Sequence, residues 1–341
     1  MKKYLDSSKK CYEQIIENIK SSNREILLCY FSASVSVMFC EIVDLLTEKA
    51  KRGVKIKILV DDFGSAFKLS KKYLRSLAAL GIEVKKFNKL FSVNGLPKTC
   101  RLHVKAAVFD GERCVFNGLN LEDKYVNEIE TCGHWKESGL FADEKLSKTL
   151  QKSFYGLWNG TPALLDGAKT LYINDSENKE VTKLIEKELA AAKKSVVITT
   201  PYVVPTYKIV CELIRLAENG VKITLIIPKR PDKRAVYCLT LKYADILRMF
   251  GVDVKTYGRG FIHQKTVLVD GKRVIAGSMN LDYGSLRNNI EECVAEEDVG
   301  FVNAVKKDLK RVLSECENLK SKLTVKEKIT AFLMSPFKKL C

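Results

Sequence analysis

A twenty-residue frame that occurs twice constrains this chain more than any other feature. Residues 101–120 read RLHVKAAVFDGERCVFNGLN and residues 261–280 read FIHQKTVLVDGKRVIAGSMN. His103 and His263, Lys105 and Lys265, Asp110 and Asp270, and Asn120 and Asn280 are each 160 positions apart. Two of the chain's three histidines lie in this frame. With 58 basic and 41 acidic residues among 341, a base at the second and an acid at the seventh position after a histidine coincide about one time in fifty, so two matched copies mark an internal repeat. Two hairpins that merely bury a histidine account for it less well, because a core histidine has no need of a lysine two residues away.

The surroundings repeat as well. Residues 4–22 carry apolar positions at Tyr12, Ile15, Ile16 and Ile19 and predict a helix. Strand patterns follow at 24–30, 54–60 and 82–87, separated by helices at 37–51 and 69–80 that stop at Gly53 and Gly81. The second half runs in the same order: helix 179–193, strand 195–200, helix 207–218, strand 221–227, helix 236–249 and strand 252–257, with stops at Gly220 and Gly251. Alternating strands and helices predict an α/β protein of two lobes with mixed, mainly parallel sheets. The turn-rich stretch 159–169 is the expected seam, giving lobes at 1–162 and 163–320 and a basic tail at 321–341.

The repeated residues make chemical sense together. Residues i and i+2 of a strand share a face, so each His–Lys pair is expected to project together. The Asp-Gly steps at 110–111 and 270–271 predict hairpin turns, and the return strands bring Asn120 and Asn280 back to the histidines. Two sets of His, Lys and Asn suit phosphoryl transfer without a metal or other cofactor. Ammonium and amide groups hold the non-bridging oxygens, one imidazole attacks phosphorus, and the other exchanges a proton with the leaving and entering alcohols. The sequence holds no C-x-x-C pair or other cluster spaced for zinc, and no acidic cluster spaced for magnesium.

The doubled H-x-K-x4-D followed by G-S-x-N resembles the phospholipase D superfamily. The flanks LVDDFGS with Asp61, NGLNLEDKY, Trp135 followed by Glu137, TPYVVPT, IIPKRPD, the Tyr243 helix and GSMNLD are similar to bacterial-type cardiolipin synthases. The resemblance spans roughly residues 10–315 and implies a duplicated fold with one active site between the lobes, His103 as nucleophile and His263 as general acid/base. It also implies a carboxylate partner in each half: Glu291 in the second, and in the first Glu137, with Glu130 as runner-up. Gly118 and Ser278 take the second position of the family's glycine-rich pair, and Asp110 and Asp270 tie down the hairpins. Asn117 departs from the glycine of that pair, and Gly284 stands where Arg is usual, although Asp282 and Ser285 match.

Further residues carry two readings each. Asp61 follows a strand end and either lines the substrate cleft or caps the turn. Tyr202 and Tyr243 either pack on substrate or pack in the fold. His134 has no partner at motif spacing and reads as a packing or surface residue. In the tail, Ile329, Phe332, Leu333 and Phe337 alternate with Lys326, Lys328, Lys338 and Lys339, a pattern that either lies on an anionic bilayer or docks on the protein itself.

A net charge of +17 calls for a polyanionic partner: anionic lipid, nucleic acid or a phosphate-bearing substrate. The longest uncharged run, 26–40, falls short of the ~18–20 residues that span a bilayer. The amino-terminal MKKYLDSSKK lacks the apolar segment of a signal peptide, and eleven cysteines without C-x-x-C spacing read as reduced thiols. The expectation is a peripheral protein on the cytoplasmic side of a membrane, without a transmembrane helix, acting on phosphatidylglycerol. Phosphodiester cleavage of nucleic acid is the alternative activity, and a lipid-binding protein with a relic site the third.

Overall fold

In the computed structural model, residues 2–89, 99–161, 171–175, 177–319 and 323–340 are described, the last two without their side chains. The chain divides into two units, Met1–Ile129 with Glu137–Leu171, and Glu130–Lys136 with Tyr172–Cys341. The expected seam at 159–169 falls largely outside the described residues.

In the first unit three parallel strands form the centre: β2 (Glu25–Tyr30), β3 (Lys55–Asp61) and β4 (Ile82–Phe87). Helices α2 (Val37–Lys51) and α3 (Lys71–Ala79) connect them. Ile26 to Tyr30 are all buried, the mark of a strand covered on both faces. The hairpin β5 (Ala106–Phe109) and β6 (Arg113–Asn117) joins β2 antiparallel. Strand β8 (Gly139–Asp143) follows, and β1 (Lys2–Leu5) closes the edge, giving the order β1-β8-β6-β5-β2-β3-β4.

That edge strand corrects the expected helix over 4–22. Helix α1 is confined to Ser8–Ser21, because Ser7 takes the N-cap and accepts from the Lys10 amide at 3.3 Å. Residues 2–5 pair with β8 instead, Lys2 opposite Ala142.

The second unit repeats the plan. Strands β10 (Ser195–Thr199), β12 (Lys222–Pro228) and β13 (Asp253–Tyr257) are the parallel set, connected by α6 (Tyr207–Glu218) and α7 (Arg234–Met249). The hairpin β15 (Thr266–Val269) and β16 (Arg273–Gly277) joins β10 antiparallel, followed by β18 (Glu291–Glu296) and the edge strand β9 (Leu171–Asn174). The order β9-β18-β16-β15-β10-β12-β13 reproduces the first sheet element for element, with β19 (Cys316–Asn318) added at the far edge. The short strand β7 (His134–Lys136) pairs in parallel with β14 (Gly260–Ile262) in this unit.

The α/β class, the duplication and the mixed sheets stand as expected, but the parallel share is smaller than "mainly". In each of the two large sheets parallel pairing is confined to three strands, because each repeated frame is a hairpin and a hairpin enters a sheet antiparallel.

Each hairpin turns on Asp-Gly with positive φ at both residues, 57° and 69° at Asp110-Gly111 and 51° and 64° at Asp270-Gly271. This is the type I′ geometry that suits strand twist. The aspartate does more than turn the chain. Asp110 accepts from the amides of Asn23, Arg24 and Glu25 at 3.0, 2.8 and 2.9 Å. Asp270 accepts from those of Lys193, Lys194 and Ser195 at 3.0, 2.7 and 2.9 Å. Partial burial works against the charge of both carboxylates, but the three amides outweigh it and hold each below the ordinary aspartate range.

A depressed carboxyl stabilises the fold above the unfolded-state value near pH 4, and that stabilisation is lost as pH falls through the folded-state value. Asp270→Asn is therefore expected to lower stability by about 1–3 kcal/mol at pH 7. Urea melts from pH 7 to pH 3 should show the deficit against the parent shrinking below about pH 4; a deficit independent of pH would contradict the account.

Candidate functional site

The registers place both His–Lys pairs at the carboxyl ends of the central parallel strands. Ladder pairing of β5 starts at Ala106 opposite Cys29, and that of β15 at Thr266 opposite Thr199. Lys105 and Lys265 lie one residue before those strands and His103 and His263 three, outside the assigned strands rather than within them as expected. The return strands still reach them: the Lys105 and Lys265 carbonyls accept from the Asn117 and Gly277 amides at 3.0 and 3.4 Å. Crevices beyond the carboxyl ends of parallel strands are the usual ligand sites of α/β sheets.

In the first unit Asp61 supports this approach. Its Oδ1 accepts from the amides of Phe63 and Gly64 at 2.9 and 3.1 Å and from Arg101 Nη1 at 3.2 Å; its Oδ2 accepts from the Leu102 amide at 2.8 Å. Burial raises its carboxyl above the ordinary value despite Arg101. Asp61 is fully buried, so of its two readings it is the turn cap, holding the residue before His103, and not a substrate contact. Lys105 is fully buried and its Nζ donates to the His103 carbonyl at 2.5 Å. His103 is half-buried, edge-on to Phe31 with ring centroids 5.4 Å apart. Asn120 is held from both sides: its Nδ2 donates to the Tyr125 hydroxyl at 2.6 Å and its Oδ1 accepts from the Ser32 amide at 3.1 Å.

The second unit repeats the set with a tighter histidine. Lys265 Nζ donates to the His263 carbonyl, as in the first copy. His263 is buried, its amide donates to the Lys136 carbonyl at 2.8 Å, and its ring lies 5.2 Å from Trp135 and 5.8 Å from Phe261. Asn280 Nδ2 donates to Asp282 at 3.0 Å, while its buried Oδ1 has no hydrogen-bond partner. Burial raises the Asp282 carboxyl, partly offset by the Ser285 amide at 2.8 Å.

The carboxylates fall into register. Asn117 pairs with Gly139 and Gly277 with Cys293, so Glu137 and Glu291 each lie two residues before the matching position. Both are buried, whereas Glu130 is exposed. Ser278 Oγ donates to Glu291 Oε2 at 2.5 Å. In the first copy the corresponding residue is Gly118, and a Cβ there would stand 2.3 Å from Glu137 Oε1. A side chain there would have to displace the Glu137 carboxylate.

The remaining expected residues separate. The Tyr202 hydroxyl donates to Asp232 at 2.6 Å and its ring lies 6.3 Å from Phe261, which in turn stacks on His263. Tyr243 is half-buried and packs against the cluster of Val204, Cys238, Leu239 and Ala331. His134 shares a hydrogen bond of 3.1 Å with the Tyr257 hydroxyl, and burial lowers its pKa, in keeping with a packing role.

One pair was missed in the sequence reading. Lys136 Nζ lies 2.8 Å from Asp308 Oδ2, with both side chains buried. Asp308 sits on α8 (Val299–Ser314) amid buried Val305, Leu309 and Val312. An acid at helical spacing on an apolar stripe was the available signal. This pair holds β7, whose Lys136 carbonyl receives the His263 amide.

Residues 15–158 and 185–313 match the family described as cardiolipin synthase, phospholipase D-like domain. A cardiolipin synthase of Alkalihalophilus pseudofirmus is 31% identical over 309 residues, covering 85% of this chain and 61% of that protein. Cardiolipin synthase 2 of Bacillus anthracis is 28% identical, covering 92% and 65%. The chain thus spans about three fifths of the length of such relatives. Among solved structures, phosphatidylserine synthase of Haemophilus influenzae superposes with a TM-score of 0.76 at 16% identity, covering 99% of this chain and 93% of that one. Polyphosphate kinase of Porphyromonas gingivalis gives 0.68 at 14%, covering 100% and 53%. At these identities the likeness is one of fold.

Two substitutions test the supports of the half-sites. Asp308→Leu removes the carboxylate that the buried Lys136 binds and is expected to cost about 3–5 kcal/mol in a denaturation experiment. Gly118→Ala drives a methyl into Glu137 and should cost about 1–3 kcal/mol. Equal melts for Gly118→Ala and the parent would show that Glu137 can move aside.

Proposed function

The chain belongs to the phospholipase D superfamily, in its cardiolipin synthase-like branch, and from that premise we propose that it is a phosphatidyltransferase joining two molecules of phosphatidylglycerol. The observation that carries the reading is the completeness of both sets. Each holds a histidine, a lysine and an asparagine, with a buried carboxylate, at the carboxyl end of a parallel strand. A relic site would have no reason to retain two buried lysines and two buried glutamates, which are costly to keep in a core.

In the proposed reaction a ring nitrogen of His103 attacks the phosphorus of phosphatidylglycerol. The bond from phosphorus to the headgroup glycerol oxygen breaks, and His263, as imidazolium, gives that oxygen its proton. Glycerol leaves and a phosphatidyl-histidine remains. His263, now neutral, takes the proton from a headgroup hydroxyl of a second phosphatidylglycerol. The resulting oxygen attacks phosphorus, the phosphorus–nitrogen bond breaks, and cardiolipin forms with both histidines restored. Lys105, Lys265, Asn120 and Asn280 stabilise the charge on the non-bridging oxygens. Glu137 and Glu291 orient the two rings. Water in place of the second lipid yields phosphatidic acid by the same intermediate. Which histidine attacks is assigned by family resemblance. A lipid donor and acceptor place the work at a bilayer surface, where the +17 charge favours anionic lipid.

Purified protein incubated with phosphatidylglycerol liposomes should release cardiolipin and glycerol in equal amounts, with EDTA present or absent. His103→Ala and His263→Ala should each lower the rate by roughly 100-fold or more. No lipid turnover, combined with cleavage of single-stranded DNA that His103→Ala abolishes, would replace this reading with a nuclease.

A further inference from the structure

The segment after the second unit's sheet carries two apolar faces, and the fold uses one of them. Helix α9 (Val325–Met334) opens with a capping box, in which Thr324 and Glu327 bond each other's backbone amides. Ala331 and Met334 pack against Val204, Cys238 and Leu239, and Lys242 Nζ donates to Ser335 Oγ at 3.2 Å. The helix is therefore fixed along α7 by its inward face, which settles the two readings of the tail in part: it does dock on the protein.

The stripe expected at Ile329, Phe332 and Leu333 is not the face that docks. Val325, Ile329, Phe332 and Leu333 are 74, 55, 75 and 62% exposed. Their spacing of four, seven and eight residues from the first puts them on one side of the helix. At about 100° per residue, Lys326 and Lys328 flank that stripe at about 80° to either side. Both lysines are exposed. Glu327, the one acid among described residues 323–338, lies on the opposite side and is engaged by the cap.

We propose that the outward face of α9 is a docking surface for an anionic phospholipid bilayer, its apolar stripe entering the acyl boundary and Lys326 and Lys328 meeting the headgroup phosphates. The charge pattern chooses the occupant. An apolar strip bordered on both sides by lysines, with no carboxylate on the same face, matches a negatively charged interface with an apolar layer beneath it. A second copy of this helix would bring lysine against lysine. The rigid seating along α7 means that binding does not require the helix to order first. The proposal deepens the phosphatidyltransferase reading and rests on it for the reason a bilayer is needed.

The test is flotation of the full chain with vesicles of phosphatidylglycerol and phosphatidylcholine in equal parts, and with phosphatidylcholine alone. The parent should bind the anionic vesicles. Phe332→Asp with Leu333→Asp should lower that binding at least tenfold. Lys326→Glu with Lys328→Glu should lower it by roughly tenfold or more and leave binding to phosphatidylcholine unchanged. Both double variants should keep the parent's melting temperature and its turnover of detergent-dispersed phosphatidylglycerol, since neither touches the half-sites. Undiminished vesicle binding by either variant, or a parent that does not float, overturns the docking surface. So does a parent that self-associates through this face, seen as a larger sedimenting mass that Phe332→Asp with Leu333→Asp abolishes. Vesicle binding that behaves as stated while no cardiolipin forms overturns the proposed function and leaves the surface standing.

Discussion

Each half-site depends on a clasp at its far end. The Asp110 carboxylate grips the chain entering β2, and Asp270 grips the chain entering β10, through three backbone amides each. This sets the register of the four-residue strands β5 and β15 against their neighbours, Phe109 opposite Ile26 and Val269 opposite Val196. A slip of one residue would turn every side chain of the hairpin to the other face. The histidine and lysine emerge at the opposite end of the same short strand, so their position follows from the clasp. The aspartate of the repeated frame thus places the frame's other residues from the far end of the hairpin.

The two copies solve one packing problem differently. In the second, a serine at position 278 reaches the buried Glu291. In the first, Glu137 fills the space that a side chain at 118 would take. Asn117, which departs from the expected glycine, accepts from the Leu119 amide at 3.0 Å and so stiffens the same turn. The histidines differ correspondingly. His103 is half-buried beside one ring, whereas His263 is buried against Trp135 and Phe261 and tied by its amide to β7. The proposed reaction needs the two imidazoles in different protonation states, which unlike surroundings favour.

Much of the site was legible because its determinants are local. His103, Lys105, Asp110 and Asn120 lie within one hairpin, and the hairpin is announced by Asp-Gly between apolar runs. Glu137 was reachable because a tryptophan stands near it, but its equivalence to Glu291 needed the strand registers. The stripe on α8 could flag Asp308, but its pairing with Lys136 was not legible, since 172 residues separate them and neither belongs to the repeated frame. Asp61 was open in the sequence because a carboxylate at a strand end serves several purposes, and its full burial in the turn is visible only in the fold.

What the sequence by itself determined was the duplication, the element order and the residues of each half-site, because spacing, turn chemistry and periodicity are properties of neighbouring residues. Tertiary structure decided the rest. It made residues 2–5 an edge strand, since β8 offered an unpaired edge that a helix could not satisfy. It limited parallel pairing to three strands in each of the two large sheets, and it joined β7 to β14. In α9 it chose Ala331 and Met334 to face the core and left the longer apolar stripe outside, a choice that the shape of α7 makes and that no pattern within the helix reveals.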